Sequence, residues 1–172
     1  MILRPFSSGV LYRVHSPKWA YVPTSGAGAA SKGGRLNRPG VDALYLSVEA
    51  ETALAEYKQT SSILPVGTIV SYQVALSQVV DFTSGYGPSW DPLWEEFGCD
   101  WRRMVFNDKI EPPTWVLSDM AQAAGGKGIL FPSAAKPGGT NLVVFNAMVQ
   151  VGDQLTALDP QGDLPKDQSS WT

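Results

Sequence analysis

Apolar residues recur along this chain with two different periods, and the switches between them mark its elements. At Leu11–His15 a two-residue alternation sets Tyr12 and Val14 on one face and Leu11, Arg13 and His15 on the other, which predicts a strand. Thr68–Leu76 (TIVSYQVAL), rich in β-branched and aromatic residues, carries the best strand signal, and Val79-Val80-Asp81-Phe82 extends it or forms a short partner. Gly128–Ser133 and Asn141–Val149 predict two closing strands joined by a cationic loop over 136–140, with Gln154–Leu158 as an edge strand. In between, the period lengthens. Ala50, Ala53, Leu54 and Tyr57 fall on one face of a helix that Ser47 is placed to cap, with Glu49 and Glu51 at its positive end. Pro92–Asn107 reads as helical with an interruption at Gly98. Pro112-Pro113 opens a further helix, Thr114–Ala124, ended by Gly125-Gly126.

Three stretches lack a period. Ser16–Gly34, rich in Gly, Ala, Ser and Pro, reads as a long mobile loop; 83–91 is turn chemistry; the tail after Asp159 is polar and expected to fray. Strands do not alternate regularly with helices, which disfavours a doubly wound parallel sheet. The expectation is an α+β fold, largely antiparallel with inserted helices, forming one domain over residues 1–159 and followed by a flexible polar tail, 160–172.

Composition narrows the chemistry. The chain has 172 residues, a formal charge of -3 and a pI near 5.1, so a general affinity for nucleic acid or an anionic membrane is disfavoured and any anionic ligand needs a local basic cluster. The single cysteine, Cys99 in FGCDW, permits no internal disulfide and reads as a space-filling thiol. The amino-terminal segment does not read as a signal peptide and no run reaches membrane-spanning length, so a cytoplasmic protein is expected.

The candidate chemistry gathers around Gly33–Tyr57 (GGRLNRPGVDALYLSVEAETALAEY), where one loop-strand-helix unit delivers Arg35, Tyr45 and Glu56. With Arg13 from the early strand, two guanidiniums offer forked donors for phosphates, and a tyrosine offers a stacking face. A carboxylate can stabilise a cationic transition state. This set suits cleavage of the bond between ribose and nicotinamide in NAD+, whose transition state is oxocarbenium-like. The competing reading of the same residues is structural: Arg13 and Glu56 as a buried ion pair, and Tyr45 as ordinary core. His15, the only histidine, reads as a bystander. No cluster has metal-ligand spacing, so no metal is expected, and the glycine pairs match no phosphate-binding fingerprint.

An early YRV at Tyr12–Val14, then GGRLN with Pro39-Gly40, ALYLS and ALAEY, ILFPSA and TNLVVF form an ordered series running from Leu11 to Phe145. In this the chain resembles the RES-domain toxins, the toxic partners in bacterial pairs whose antitoxins are Xre-like. The resemblance implies a fold similar to ADP-ribosyltransferases and NAD+ as substrate. It also implies cleavage of the nicotinamide–ribose bond by hydrolysis or phosphorolysis, or else ADP-ribosyl transfer to a protein. It implies Arg35, Glu56 and Ser133 as catalytic residues, with Arg13, Arg35, Tyr45 and Ser133 holding NAD+. Leu36 stands where many members place an aromatic residue. The alternatives from other classes are an RNA-cleaving toxin using Arg13, His15 and Glu56, and a non-catalytic binding module.

Overall fold

The computed structural model describes residues 1–59 and 61–171. Six strands, β1 (Leu3–His15), β2 (Ala43–Ser47), β3 (Thr68–Asp81), β4 (Gly128–Pro132), β5 (Thr140–Phe145) and β6 (Gln154–Leu158), run in the order β1-β2-β5-β4-β3-β6. Because β1 also pairs with β3, the first five close on themselves and β6 is left as an edge. All pairings are antiparallel except the short parallel match of β3 with β4 at Val80↔Ile129 and Asp81↔Leu130. The helices α1 (Ala27–Lys32), α2 (Ala50–Lys58) and α3 (Pro113–Ala123) are inserted between strands, so the fold is the expected α+β with a mixed, mostly antiparallel sheet. Among the described residues no helix is long and apolar enough to cross a membrane.

Strand alternation divides the core in two. Leu44 and Leu46 of β2, Leu142 and Val144 of β5, Leu11 of β1, and Val70, Tyr72, Val74 and Leu76 of β3 meet in one cluster. The opposite parity, Ala43, Val143, Phe145, Ile129 and Phe131, packs under α3 through Leu117 and Ala121 and under a 3-10 helix at Pro92–Gly98 through Trp94 and Phe97. Phe82 sits at the hub of this second cluster, with ring centroids 4.5 Å from Phe97 and 5.1 Å from both Trp90 and Trp94. Burying each such leucine or phenylalanine contributes about 1.5–3 kcal/mol.

Several boundaries differ from the expectation. β1 begins at Leu3, eight residues before the alternation becomes legible, because Pro5, Gly9 and two register shifts blur its period. The Ser16–Gly34 segment is not a structureless loop: it holds a 3-10 turn at Pro17–Trp19 and α1, whose end Gly33 caps at φ +80°. Ser47 does not cap α2. Glu49 occupies the cap position, where its carboxylate accepts from Thr52 Oγ1 and the Thr140 amide, and the Ser47 hydroxyl is used elsewhere. The 92–107 stretch divides after Gly98 into the 3-10 helix and a π-helical turn at Arg103–Asp108. β5 stops at Phe145, and Asn146–Met148 turns as a 3-10 helix because Asn146 hydrogen-bonds Asp42 and the Thr24 carbonyl instead of continuing the ladder. In the 160–172 segment, expected to be flexible, Asp159 accepts from the Asp163 and Leu164 amides and Leu164 packs against the first core cluster. Thr172 lies outside the described residues.

Candidate active site

Two glycines and an asparagine fix the Gly33–Asn37 loop. The Gly34 amide bonds the Asn37 carbonyl at 3.0 Å, and a Cβ on Gly34 would come within 2.6 Å of both Asn37 Oδ1 and the Tyr45 hydroxyl. Only glycine fits that approach. Asn37 Nδ2 reaches the carbonyls of Ala29, Arg38 and Val41, tying the loop to α1. Tyr45, on β2, donates its hydroxyl hydrogen to Asn37 Oδ1 at 2.8 Å and accepts from the Leu36 amide at 2.9 Å. Leu36 is fully buried in the second core cluster, so its neighbour Arg35 is turned to the other side. Packing therefore absorbs the leucine at this position.

That other side is a cleft of about 760 Å³, within the range of ligand-binding pockets. Arg13, Arg35, Tyr45 and Glu56 all line it, together with Arg102 and Trp101 from the segment after Gly98. Three guanidiniums and one carboxylate make it locally cationic on an acidic protein. Arg35 donates to the Phe97 carbonyl at 3.2 Å, and Arg102 lies over the Trp101 ring at 4.6 Å and donates to Gln59 Oε1.

Burial works against the charge of both inner arginines. Desolvation pushes Arg13 below its ordinary value, with partial compensation from Tyr72 and Tyr45. It does the same to Arg35, where Cys99 and Glu56 oppose it and Arg102 adds to it. Arg13 Nη1 is buried with no hydrogen-bond partner, and among the described residues no carboxylate pairs with either arginine. The Arg13–Glu56 ion pair considered from the sequence does not form. A buried guanidinium without an acid is costly unless an anion completes it.

Glu56, half-buried on α2, is held differently. Its Oε1 accepts from Ser133 Oγ at 2.7 Å and from Asn141 Nδ2 at 2.6 Å, while no described residue donates to Oε2. Ser133 Oγ also accepts from the Ala135 and Lys136 amides at 3.1 Å, so its hydrogen-bonding capacity is filled by the protein. It lies behind Glu56 and is absent from the cleft wall. Tyr45 faces the cleft with its ring, but burial drives its phenol well above the ordinary value and its hydroxyl is committed to the loop.

His15 is buried beside Arg13. The Tyr72 hydroxyl gives its hydrogen to the Pro23 carbonyl at 2.7 Å, so at its contact with His15 it accepts, and Nε2 carries the hydrogen. Burial, reinforced by Arg13, lowers the imidazole to about 4, which keeps it neutral near pH 7. Cys99 is half-buried, close enough for its thiol to act on Arg35, and outside the cleft lining.

Sequence reasoning missed Arg102, Asn141 and Asn37. The only signal for Asn141 was a lone amide opening the apolar run NLVVF; Arg102 carried none, since its place depends on the turn after Gly98.

The family model described as the RES domain matches residues 10–167, a span that includes every residue of the cleft. A search of curated proteins gave no match. Among solved structures the chain is similar to the MbcT toxin in the crystal structure of the M. tuberculosis MbcT–MbcA toxin–antitoxin complex. The two share 24% identity over 88% of this chain and 84% of that one, with a TM-score of 0.60, a likeness of fold. The chain belongs to the RES-domain family.

Proposed function

We propose that this protein is the toxin of a toxin–antitoxin pair and consumes NAD+ by cleaving its nicotinamide–ribose bond. The observation that carries the reading is the wall of the cleft: one carboxylate, fixed through a single oxygen, facing a space whose other charges are guanidiniums without acid partners. In this reading Arg13 and Arg35 take the pyrophosphate, which supplies the missing anion. The Tyr45 ring packs on the nicotinamide or its ribose. As the bond breaks, both electrons leave with nicotinamide, which departs neutral, and the positive charge growing on the ribose is stabilised by Glu56. The acceptor supplies a new electron pair to the anomeric carbon and gives up its proton. Water or phosphate in that role makes a hydrolase or phosphorylase; a protein side chain makes a mono-ADP-ribosyltransferase. Ser133 positions Glu56.

The RNA-cleaving alternative loses one of its three residues, because His15 is buried, gives its Nε2 hydrogen to Tyr72 and does not line the cleft. The structural relative was solved with its antitoxin, which supports an antitoxin as partner here. In this reading that antitoxin is Xre-like, as the family resemblance implies, and sits over the cleft mouth beside Arg35 and the 16–34 segment. The test is parallel incubation of antitoxin-free protein with NAD+ and with RNA. Release of nicotinamide with RNA left intact is expected; intact NAD+ or fragmented RNA would overturn the reading. Repeating the NAD+ reaction with and without phosphate identifies the acceptor.

A further inference from the structure

The hydrogen bonds around Glu56 extend beyond Ser133 to two further residues, Asn141 and Ser47. Ser47 and Asn141 are register partners across the β2–β5 ladder, and both are buried. Ser47 Oγ donates to Asn141 Oδ1 at 2.7 Å, and Asn141 Nδ2 donates to Glu56 Oε1 at 2.6 Å. An asparagine amide has a donor end and an acceptor end. A hydroxyl hydrogen directed at Oδ1 commits the opposite end, Nδ2, to the carboxylate. A flipped amide would set a carbonyl oxygen against Oε1, two acceptors face to face, and would trade the Ser47 hydroxyl's donated bond for one accepted from Nδ2. Ser133 approaches the same oxygen from the β4–β5 turn, so two donors on different elements converge on Oε1 and leave Oε2 as the oxygen with no partner among the described residues.

We propose that Asn141, locked by Ser47, is a positioning residue that aims Glu56 Oε2 into the cleft. The inference rests on the proposed chemistry for its kinetic consequence but on geometry alone for the lock. The arrangement explains why a serine ends the apolar strand ALYLS and an asparagine opens NLVVF: both polar side chains are buried, and each satisfies the other. It also explains how a half-buried carboxylate on a helix keeps one orientation without an ion pair. Two charge-assisted hydrogen bonds from rigid strand and turn positions supply that constraint.

The experiment compares Ser47→Thr with Ser47→Val, which are nearly isosteric and differ in the hydroxyl. Nitrogen-edited NMR of the Asn141 side-chain amide should show slow hydrogen exchange in wild type and in the threonine variant, and faster exchange in the valine variant. With NAD+ as substrate, kcat for Ser47→Thr should exceed that for Ser47→Val by about tenfold while KM stays within about twofold. Asn141→Asp, which exchanges the donor for an acceptor at constant shape, should lower kcat by about a hundredfold with a similar KM. Equal amide protection in the two Ser47 variants, or equal kcat in a protein that does cleave NAD+, overturns the proposal. A protection difference in a protein that never cleaves NAD+ would uphold the lock, remove its kinetic role and refute the NAD+ reading separately.

Discussion

Replacing Glu56 by glutamine separates chemistry from architecture, because the structure lets both consequences be worked out beforehand. The glutamine carbonyl can keep Oε1's place and accept from Ser133 and Asn141, so no donor is orphaned. No arginine pairs with Glu56 among the described residues, so its removal leaves no stranded guanidinium. What folding loses is charge assistance. A hydrogen bond to a charged group is worth about 1.5–3 kcal/mol and a neutral one about 0.5–1.5, so two bonds lose about 2 kcal/mol together. Relief from desolvating a half-buried carboxylate offsets part of that. For a domain of this length each kcal/mol moves Tm by about 2–4 °C, so the melting temperature should change by less than about 8 °C. Turnover should respond far more strongly. If Glu56 opposes the ribosyl cation as proposed, losing its charge should lower kcat by about 10² or more, with NAD+ affinity changed by less than about threefold, since the proposed phosphate contacts belong to the guanidiniums. Thermal unfolding and nicotinamide release on one preparation decide between the roles. A variant that melts far earlier yet consumes NAD+ at the wild-type rate would refute the catalytic assignment.

Three further perturbations test separate parts of the account. Arg13→Leu removes a buried charge that has no acid partner, so stability by denaturant titration should hold or rise while calorimetric NAD+ affinity falls by about a hundredfold; unchanged affinity would remove Arg13 from the site. Tyr45→Phe leaves the Leu36 amide and Asn37 Oδ1 without their partner and should cost about 1–3 kcal/mol, seen as a lower urea midpoint at constant slope; an unchanged midpoint would show that the hydroxyl does not fasten the loop. His15 is lowered to about 4 in the folded protein against about 6.5 unfolded, so its contribution is complete above pH 6.5 and is lost as pH falls toward 4, by roughly 3 kcal/mol. Urea midpoints across that window should fall in wild type and lose this component in His15→Gln, and parallel profiles would contradict the buried neutral imidazole.

How much the sequence disclosed depended on whether a signal was local. The ALYLS strand was legible as a short apolar run, which the structure buries on both faces, and the ALAEY helix from its period; Arg35, Tyr45 and Glu56 came with them. Arg13 stood out as a charge inside a strand pattern, and the structure brings it to the same cleft. What could not be read were relationships between distant residues. The Ser47–Asn141 bond spans ninety-four positions and exists only because β2 and β5 pair in one particular register. Arg102 enters the cleft because the chain turns after Gly98, and periodicity does not encode the direction of that turn. Local reasoning also misassigned Ser47, whose spacing before α2 resembles a cap while its hydroxyl serves the neighbouring strand. α1 was hidden because Ala27–Lys32 is short and has no buried face to impose a period.

The central claim is that this cleft breaks the nicotinamide–ribose bond, and the most direct measurement is chromatographic quantification of nicotinamide released from NAD+ by antitoxin-free protein over time. Wild-type protein should release one nicotinamide for each NAD+ consumed, over many turnovers, with Glu56→Gln at least about a hundredfold slower. NAD+ that persists unchanged with folded wild-type protein would contradict the account.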